Sequence, residues 1–146
     1  MKVILQRVSS AHVTSEGTLL GEIGAGLLLL VGFGAGDTES CIAPMVDKIL
    51  KLRIFPNEAK KFDKDIIDVG GEILAVSQFT LFADTSKGRR PEFFGALEPT
   101  LAAALFDRFL DALRATPVKK VASGAFGAHM QISLVNDGPV TITLER

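Results

Sequence analysis

The sequence predicts a single compact α/β domain over residues 1–146, one mixed sheet system with two main helices covering one side. Three observations lead there. Strand-like runs crowd both ends of the chain. Two stretches carry apolar residues at helical spacing. The run from Leu27 to Phe33 is continuously apolar, as in a central strand buried on both faces. The order is strands, helix, strand, helix, strands, without an internal repeat, a low-complexity segment or a linker.

Residues 2–9 read as the first strand, with Val3, Leu5 and Arg7 on one face and Ile4, Gln6 and Val8 on the other. Arg7, beside two aliphatics, is either an edge residue or a placed charge. Residues 11–15 continue as extended chain, Gly17 turns, and residues 19–23 return. Gly24-Ala25-Gly26 turns again before the apolar run.

Gly32-Phe33-Gly34-Ala35-Gly36 follows that run and invites a dinucleotide reading. Asp37 stands where Gly-x-Gly-x-x-Gly needs its last glycine, and an acid there repels a pyrophosphate. The run is expected to be a strand-to-helix connection.

A helix is expected from near Cys41 to near Leu52, with the stripe Ile42, Met45, Val46, Ile49 and Leu50 and with Pro44 in its first turn. Arg53-Ile54-Phe55 is short and extended, residues 56–61 form a surface turn, and residues 62–68 are expected as a loop. After Gly70-Gly71 the longest strand signal covers residues 72–83, and Ser77, Gln78 and Thr80 lie inside it. Uncharged polar side chains in an apolar strand must find partners or face a cleft. Residues 84–91 hold Lys87, Arg89 and Arg90, in either a solvated or a phosphate-contacting loop. The second helix starts near Pro99, repeats Leu101, Leu105, Phe109 and Leu113, and ends near Thr116-Pro117. Residues 118–121 are extended, and residues 123–128 form a glycine-rich loop.

Two strand-like runs, residues 130–135 and 140–144, flank Asn136-Asp137-Gly138-Pro139. Asp-Gly between such runs signals a two-residue hairpin, but the residue after that turn must donate an N–H across it. Pro139 has none. The loop is therefore not an ordinary hairpin, and it either sets shape alone or presents its backbone to something.

Composition narrows the function. One cysteine, Cys41, excludes an internal disulfide, and nothing suggests a secreted scaffold. The apolar part of the N-terminus is too short for a signal peptide, and the longest apolar run is far short of a membrane span. A soluble, cytoplasmic protein is the expectation. Net charge is −1, so any RNA contact must come from local patches, and with no Trp or Tyr, base stacking falls to ten phenylalanines. His12 and His129 lack metal-ligand spacing and read as surface or satisfied strand histidines. No Gly-x-Ser-x-Gly elbow or Walker-type phosphate loop is present. An enzyme built from this chain lacks the usual side-chain machinery.

What remains is specific. The run Val76-Ser77-Gln78-Phe79-Thr80-Leu81-Phe82-Ala83-Asp84, then Lys87-Gly88-Arg89-Arg90-Pro91, then Asn136-Asp137-Gly138-Pro139-Val140-Thr141, resembles D-aminoacyl-tRNA deacylase. The resemblance covers nearly the whole chain, including Arg7, residues 21–24 and Leu52-Arg53-Ile54-Phe55. It implies a β/β/α layered, barrel-like arrangement with the two helices on one side. It implies a homodimer with cross-subunit sites that needs no metal or other cofactor, and hydrolysis of the ester joining a D-amino acid to the terminal adenosine of tRNA. No membrane is implied as a partner. Each pocket would receive Gly138-Pro139 from the other subunit, with a cis peptide bond that costs only about 0.5–1 kcal/mol before proline. Two backbone carbonyls would then stand where an L-side chain projects. Glycine has no Cβ, so glycyl-tRNA should also be hydrolysed.

On this resemblance the catalytic segment is Ser77, Gln78, Phe79 and Thr80. Backbone N–H groups near Phe79 and Thr80 would hold the oxyanion, Ser77 and Gln78 would shape the pocket, and Phe79 would meet the terminal adenosine. Thr80 lacks an evident activating base for a nucleophile's role. Arg7, Asn136 and Thr141 would support the Gly-Pro loop. Lys87, Arg89 and Arg90 become candidates for tRNA phosphate contact. Glu92, His129 and Asp65 depart from the family pattern, outside the core motifs. The alternatives are a non-catalytic RNA- or nucleotide-binding dimer and a structural dimer without ligand.

Overall fold

The computed structural model describes all residues, 1–146. Its organising element is strand β1, Lys2–Ser15, which the sequence reading had divided at Ser10. Antiparallel to it run β2 (Thr18–Ile23), β3 (Gly26–Gly32) and the last strand. Its first half, residues 2–8, pairs with β3, and its second half, residues 11–15, pairs with β2. Along its other edge β1 carries one 15-residue strand, Gln131–Glu145.

That pairing explains why the C-terminal loop is not an ordinary hairpin. The two runs flanking Asn136–Val140 do not pair with each other. Both pair with β1, in one antiparallel ladder, Gln6 opposite Thr141 and Val8 opposite Asn136. Residues 137–140 are the excess, bulging out of the strand opposite Arg7. A bulge needs no N–H at Pro139, so proline is tolerated there.

Between β3 and the C-terminal strand come helix α1 (Ile42–Leu50), two short strands β4 (Phe55–Pro56) and β5 (Phe62–Lys64), and β6 (Glu72–Ser77). They are followed by helix α2 (Pro99–Arg114), β7 (Lys120–Ser123) and the C-terminal strand, β8. β5 lies where a plain loop was expected. It pairs with β4, and Arg53 holds Asp63 by side chain and carbonyl. β3, β6 and β7 run parallel, each joined to the next through a helical crossover.

Alternation along the strands produces two cores. Val3, Leu5, Leu27, Leu29, Val31, Ile73 and Ala75 face the helices and pack with Met45, Ile49, Phe106 and Phe109. Val8, Ala11, Val13, Leu28, Leu74 and Val76 face inward among the strands. β2 lies over β7, where a Cβ on Gly21 would come within 2.9 Å of the Ser123 carbonyl, so the sheet curls toward a barrel around this second core. α1 carries its predicted stripe inward. α2 starts at Pro99 as expected, capped by the Glu98 carboxylate, which accepts from the N–H groups of Thr100 and Leu101 at 3.0 and 3.1 Å.

The glycine run after β3 is a packing platform. A Cβ on Gly34 would come within 2.4 Å of the Phe82 ring, and one on Gly32 within 2.7 Å of the Gln78 carbonyl. The Gly34 N–H donates to Asp37 at 2.6 Å, and the same carboxylate pairs with the N-terminal ammonium. The amide that a phosphate would need is thus occupied.

Candidate functional site

The signature segment does not continue as a strand. β6 ends at Ser77, Gln78 leaves the ladder at φ −146° and ψ 79°, and Phe79–Phe82 forms one 3-10 turn. The cause lies in the sheet: the Gln78 N–H still donates to the Val31 carbonyl at 2.7 Å, but beyond it Gly32 and Gly34 offer a flat surface on which Leu81 and Phe82 fold back. Apolar alternation through residues 79–83 therefore reflects packing of a turn. In a 3-10 turn each N–H donates three residues back, so the first two, of Phe79 and Thr80, have no acceptor within it.

A cavity of about 270 Å³ opens beside this turn, at the carboxyl ends of the parallel strands, where open α/β sheets place ligands. Val31 and Val76 form its floor, Ser77, Gln78 and Phe79 one wall, and the loop from Phe126 to Met130 the other. A second, more apolar cavity of about 390 Å³ adjoins it, lined by Phe93, Leu97 and Pro99 and sharing Phe79 and Phe126 with the first. Phe79 is more than half exposed and packs edge-on against Phe93 at 5.1 Å. Thr80 lies outside both linings, and its hydroxyl accepts a hydrogen bond from Gln78 Nε2.

Sequence reasoning missed the wall at residues 126–130. His129, taken for a surface or satisfied strand histidine, is exposed but lines the first cavity. The glycines around Phe126 marked the loop but carried no signal of what it faces. His12 is the exposed strand histidine expected, opposite Glu22. No cluster of three or more His, Cys, Asp or Glu side chains is placed to hold a metal ion.

The other half of the signature is built around Arg7. Its side chain is nearly buried, so it is a placed charge, not an edge residue. Arg7 Nε donates to the Asp137 carbonyl at 3.0 Å and lies 3.2 Å from the Asp137 carboxylate. Nη1 donates to the Ile54 carbonyl, and the guanidinium sits 5.6 Å from the Phe62 ring centre. Asn136 closes the bulge from inside: its Oδ1 accepts from the Val140 N–H at 2.8 Å, and its Nδ2 donates to Thr141 Oγ1 at 3.1 Å. Gln6 Nε2 donates to the same hydroxyl at 3.0 Å. Gly138 has φ +142°, and a Cβ there would lie 2.7 Å from Val140 Cγ2, so only glycine fits. The Gly138–Pro139 peptide bond is cis, and both residues are exposed.

The structure does not bring these two halves together within one chain. Arg7, opposite the bulge, pairs with Leu27, which pairs with Ile73, four residues before Ser77. At about 3.3 Å per residue along β6 and three strand spacings of about 4.8 Å across, the bulge lies roughly 19 Å from Ser77 measured along the sheet.

Lys87, Arg89 and Arg90 lie on an exposed loop closed by paired backbone bonds between Asp84 and Glu92 at 2.7 and 2.9 Å. None of the three takes part in an ion pair. Asp84 is held below its usual 3.8 by the N–H and hydroxyl of Ser86, which tightens the loop's base. Asp65 accepts from the Ile67 and Asp68 N–H groups, both at 2.9 Å, so it folds its own turn.

Comparison with known proteins meets this geometry along the whole chain. The sequence model of the family described as D-Tyr-tRNA(Tyr) deacylase matches residues 4–145. A D-aminoacyl-tRNA deacylase of Thermomicrobium roseum is 53% identical over 145 residues, 99% of this chain and 94% of that protein. Among solved structures, the c-Myc DNA unwinding element binding protein superposes with a TM-score of 0.93 at 42% identity, over 100% of this chain and 99% of that one. A probable eukaryotic D-amino acid tRNA deacylase superposes with a TM-score of 0.85 over 98% and 97% of the two chains, a likeness of fold at 21% identity. No helix here is long and apolar enough to cross a membrane.

Proposed function

The chain belongs to the D-aminoacyl-tRNA deacylase family, and on that premise we propose that the cavity beside Ser77, Gln78 and Phe79 hydrolyses the ester of D-aminoacyl-tRNA as a homodimer with cross-subunit sites. The observation that carries this reading is the placement of two unengaged N–H groups, Phe79 and Thr80, at the head of a turn bordering a cavity whose lining holds no carboxylate and no cysteine.

The chemistry then rests on the backbone. Water attacks the ester carbonyl, the new C–O bond forms, and the negative charge on the carbonyl oxygen is held by the Phe79 and Thr80 N–H groups. As the intermediate collapses, the bond to the ribose 3′-oxygen breaks and that oxygen takes the proton. The neighbouring ribose 2′-hydroxyl assists the water. An aminoacyl ester is already reactive, so modest stabilisation suffices. Ser77 and Gln78 shape the wall, and the apolar second cavity with Phe79, Phe93 and Phe126 suits the terminal adenine.

Selection by handedness needs the Gly138-Pro139 bulge, whose carbonyls stand where an L-residue's Cβ projects. A gap of roughly 19 Å to its own Ser77 supports a second copy as the source, because an exposed bulge held by Arg7 and Asn136 is presented outward, not folded back. Arg7, Asn136 and Thr141 keep that bulge rigid. Glycine passes the filter for want of a Cβ, so glycyl-tRNA is a substrate. Lys87, Arg89 and Arg90 contact tRNA phosphate, their side chains being exposed and unpaired. The role is chiral proofreading in translation.

The test is to incubate the purified protein with matched D-, L- and glycyl-tRNA in the presence of a chelator. Rapid loss of the D- and glycyl esters with the L-ester intact is the expected result. Equal loss of D- and L-esters overturns the filter, and no loss of any ester overturns the hydrolase in favour of an RNA-binding dimer.

A further inference from the structure

His129 is the only ionisable side chain lining the first cavity. The rest of that lining is aliphatic, aromatic or uncharged. The residue is exposed, so it stands at the mouth rather than the floor. Its backbone is fixed, since the Ser15 hydroxyl donates to its carbonyl at 2.9 Å and the preceding turn closes through Ala128 N–H to Ala125 O at 3.3 Å. Its imidazole takes part in no ion pair and so remains available.

We propose that His129 is a substrate-contacting residue whose imidazolium holds the backbone phosphate at the aminoacylated end of the tRNA. The inference rests on the deacylase reading of this cavity. If the ester lies against the Phe79–Phe82 turn and the base enters the apolar second cavity, the terminal phosphodiester stays at the mouth. It is permanently charged and costly to bury, so it remains where water and His129 are. The elements around His129 contribute little competing charge. Ser77, Gln78 and Phe79 are neutral, α2 brings only Ala102, β8 brings Ile132, and Met130 just before it is apolar. The β1–β2 turn brings one carboxylate, Glu16, next to the Ser15 that holds the His129 carbonyl. Glu16 does not stand in the cavity lining.

Two substrates and two variants test this: D-aminoacyl-tRNA and phosphate-free 3′-D-aminoacyl-adenosine, with the wild type, His129→Gln and His129→Lys, all at pH 5.5. For the tRNA substrate, His129→Gln should raise KM about fivefold, the upper range for an exposed charge pair. His129→Lys should keep the wild-type KM. The loss falls in KM rather than kcat. The slope of log KM against log salt should shrink by about 0.7 in His129→Gln, the share of one single-strand phosphate contact. With aminoacyl-adenosine the three proteins should share one KM. An effect of His129→Gln confined to kcat, an equal effect on aminoacyl-adenosine, or a KM unmoved by substitution overturns the inference while the enzyme remains a deacylase. Wild-type protein that hydrolyses neither substrate overturns the deacylase reading itself.

Discussion

Arg7 and Asp137 form one ion pair, yet the two halves should contribute very unequally to stability. The Arg7 guanidinium is almost wholly buried, whereas the Asp137 carboxylate is 56% exposed. Arg7 serves two backbone carbonyls, Asp137 and Ile54, besides that carboxylate. A hydrogen bond from a charged donor contributes about 1.5–3 kcal/mol, and an orphaned buried acceptor costs about 1–3 kcal/mol. Water reaches the Asp137 side of the bulge and recovers part of the loss, but Ile54 is only 4% exposed. Arg7→Ala should therefore cost about 3 kcal/mol. Asp137→Ala removes a screened carboxylate and keeps the carbonyl, so it should cost less than about 1 kcal/mol. Arg7→Lys should fall between, because a point charge cannot fork to both carbonyls. Urea unfolding at one fixed protein concentration reads the difference as a shift in midpoint at unchanged slope. In a thermal scan about 3 kcal/mol corresponds to a fall of roughly 6–12 °C in Tm. Hydrolysis of the D-aminoacyl ester should fall with Arg7→Ala, since the bulge loses its anchor. Equal losses for Arg7→Ala and Asp137→Ala would refute the reasoning and make the ion pair, not the carbonyls, the anchor.

Three further outcomes are expected. Thr80→Ala should keep turnover within about threefold of wild type, since its hydroxyl only accepts from Gln78 outside the cavity lining, whereas loss of a nucleophile or base costs at least about 100-fold; a collapse of kcat makes Thr80 a reactive group. Gly34→Ala places a Cβ against the Phe82 ring, so it should cost about 1–3 kcal/mol by overpacking and lower kcat through the displaced turn; an unchanged melt and rate show that the turn does not depend on this contact. Glu72 is held below its usual 4.5 by the Gly24 N–H and then by Lys119. A carboxylate with a depressed folded-state pKa contributes stability that is present above the unfolded value and lost as pH falls through the folded one. Glu72→Gln should therefore be less stable than wild type at pH 7, with the gap narrowing below pH 4.5, and a gap independent of pH from 7 to 3 removes Glu72 from the account.

The elements were legible wherever local rules and packing agreed. Helical spacing placed α1 and α2, continuous apolarity placed β3, and Pro99 marked the start of α2. Residues 72–83 misled, because a strand and a turn packed on a glycine platform show the same apolar run. The β4–β5 pair was missed because its strands have two and three residues, too short for a periodic signal. His129 carried no signal, because facing a cavity is a property of the surrounding chain.

The sequence by itself determined the class of fold, the family and the two signature segments, since those depend on which residues occur and in what order. It also determined that Asp137-Gly138-Pro139 could not close an ordinary hairpin, because Pro139 has no N–H. Only the tertiary structure decided what the loop is instead. β1 is long enough to pair with both flanking runs, so the excess residues are pushed out of β8 opposite Arg7. The same long-range pairing buries Arg7, ends β6 at Ser77 on the Gly32–Gly34 surface, and sets the bulge and the cavity apart within one chain. Register between strands distant in sequence is fixed by the cores they bury together, and no local pattern encodes it.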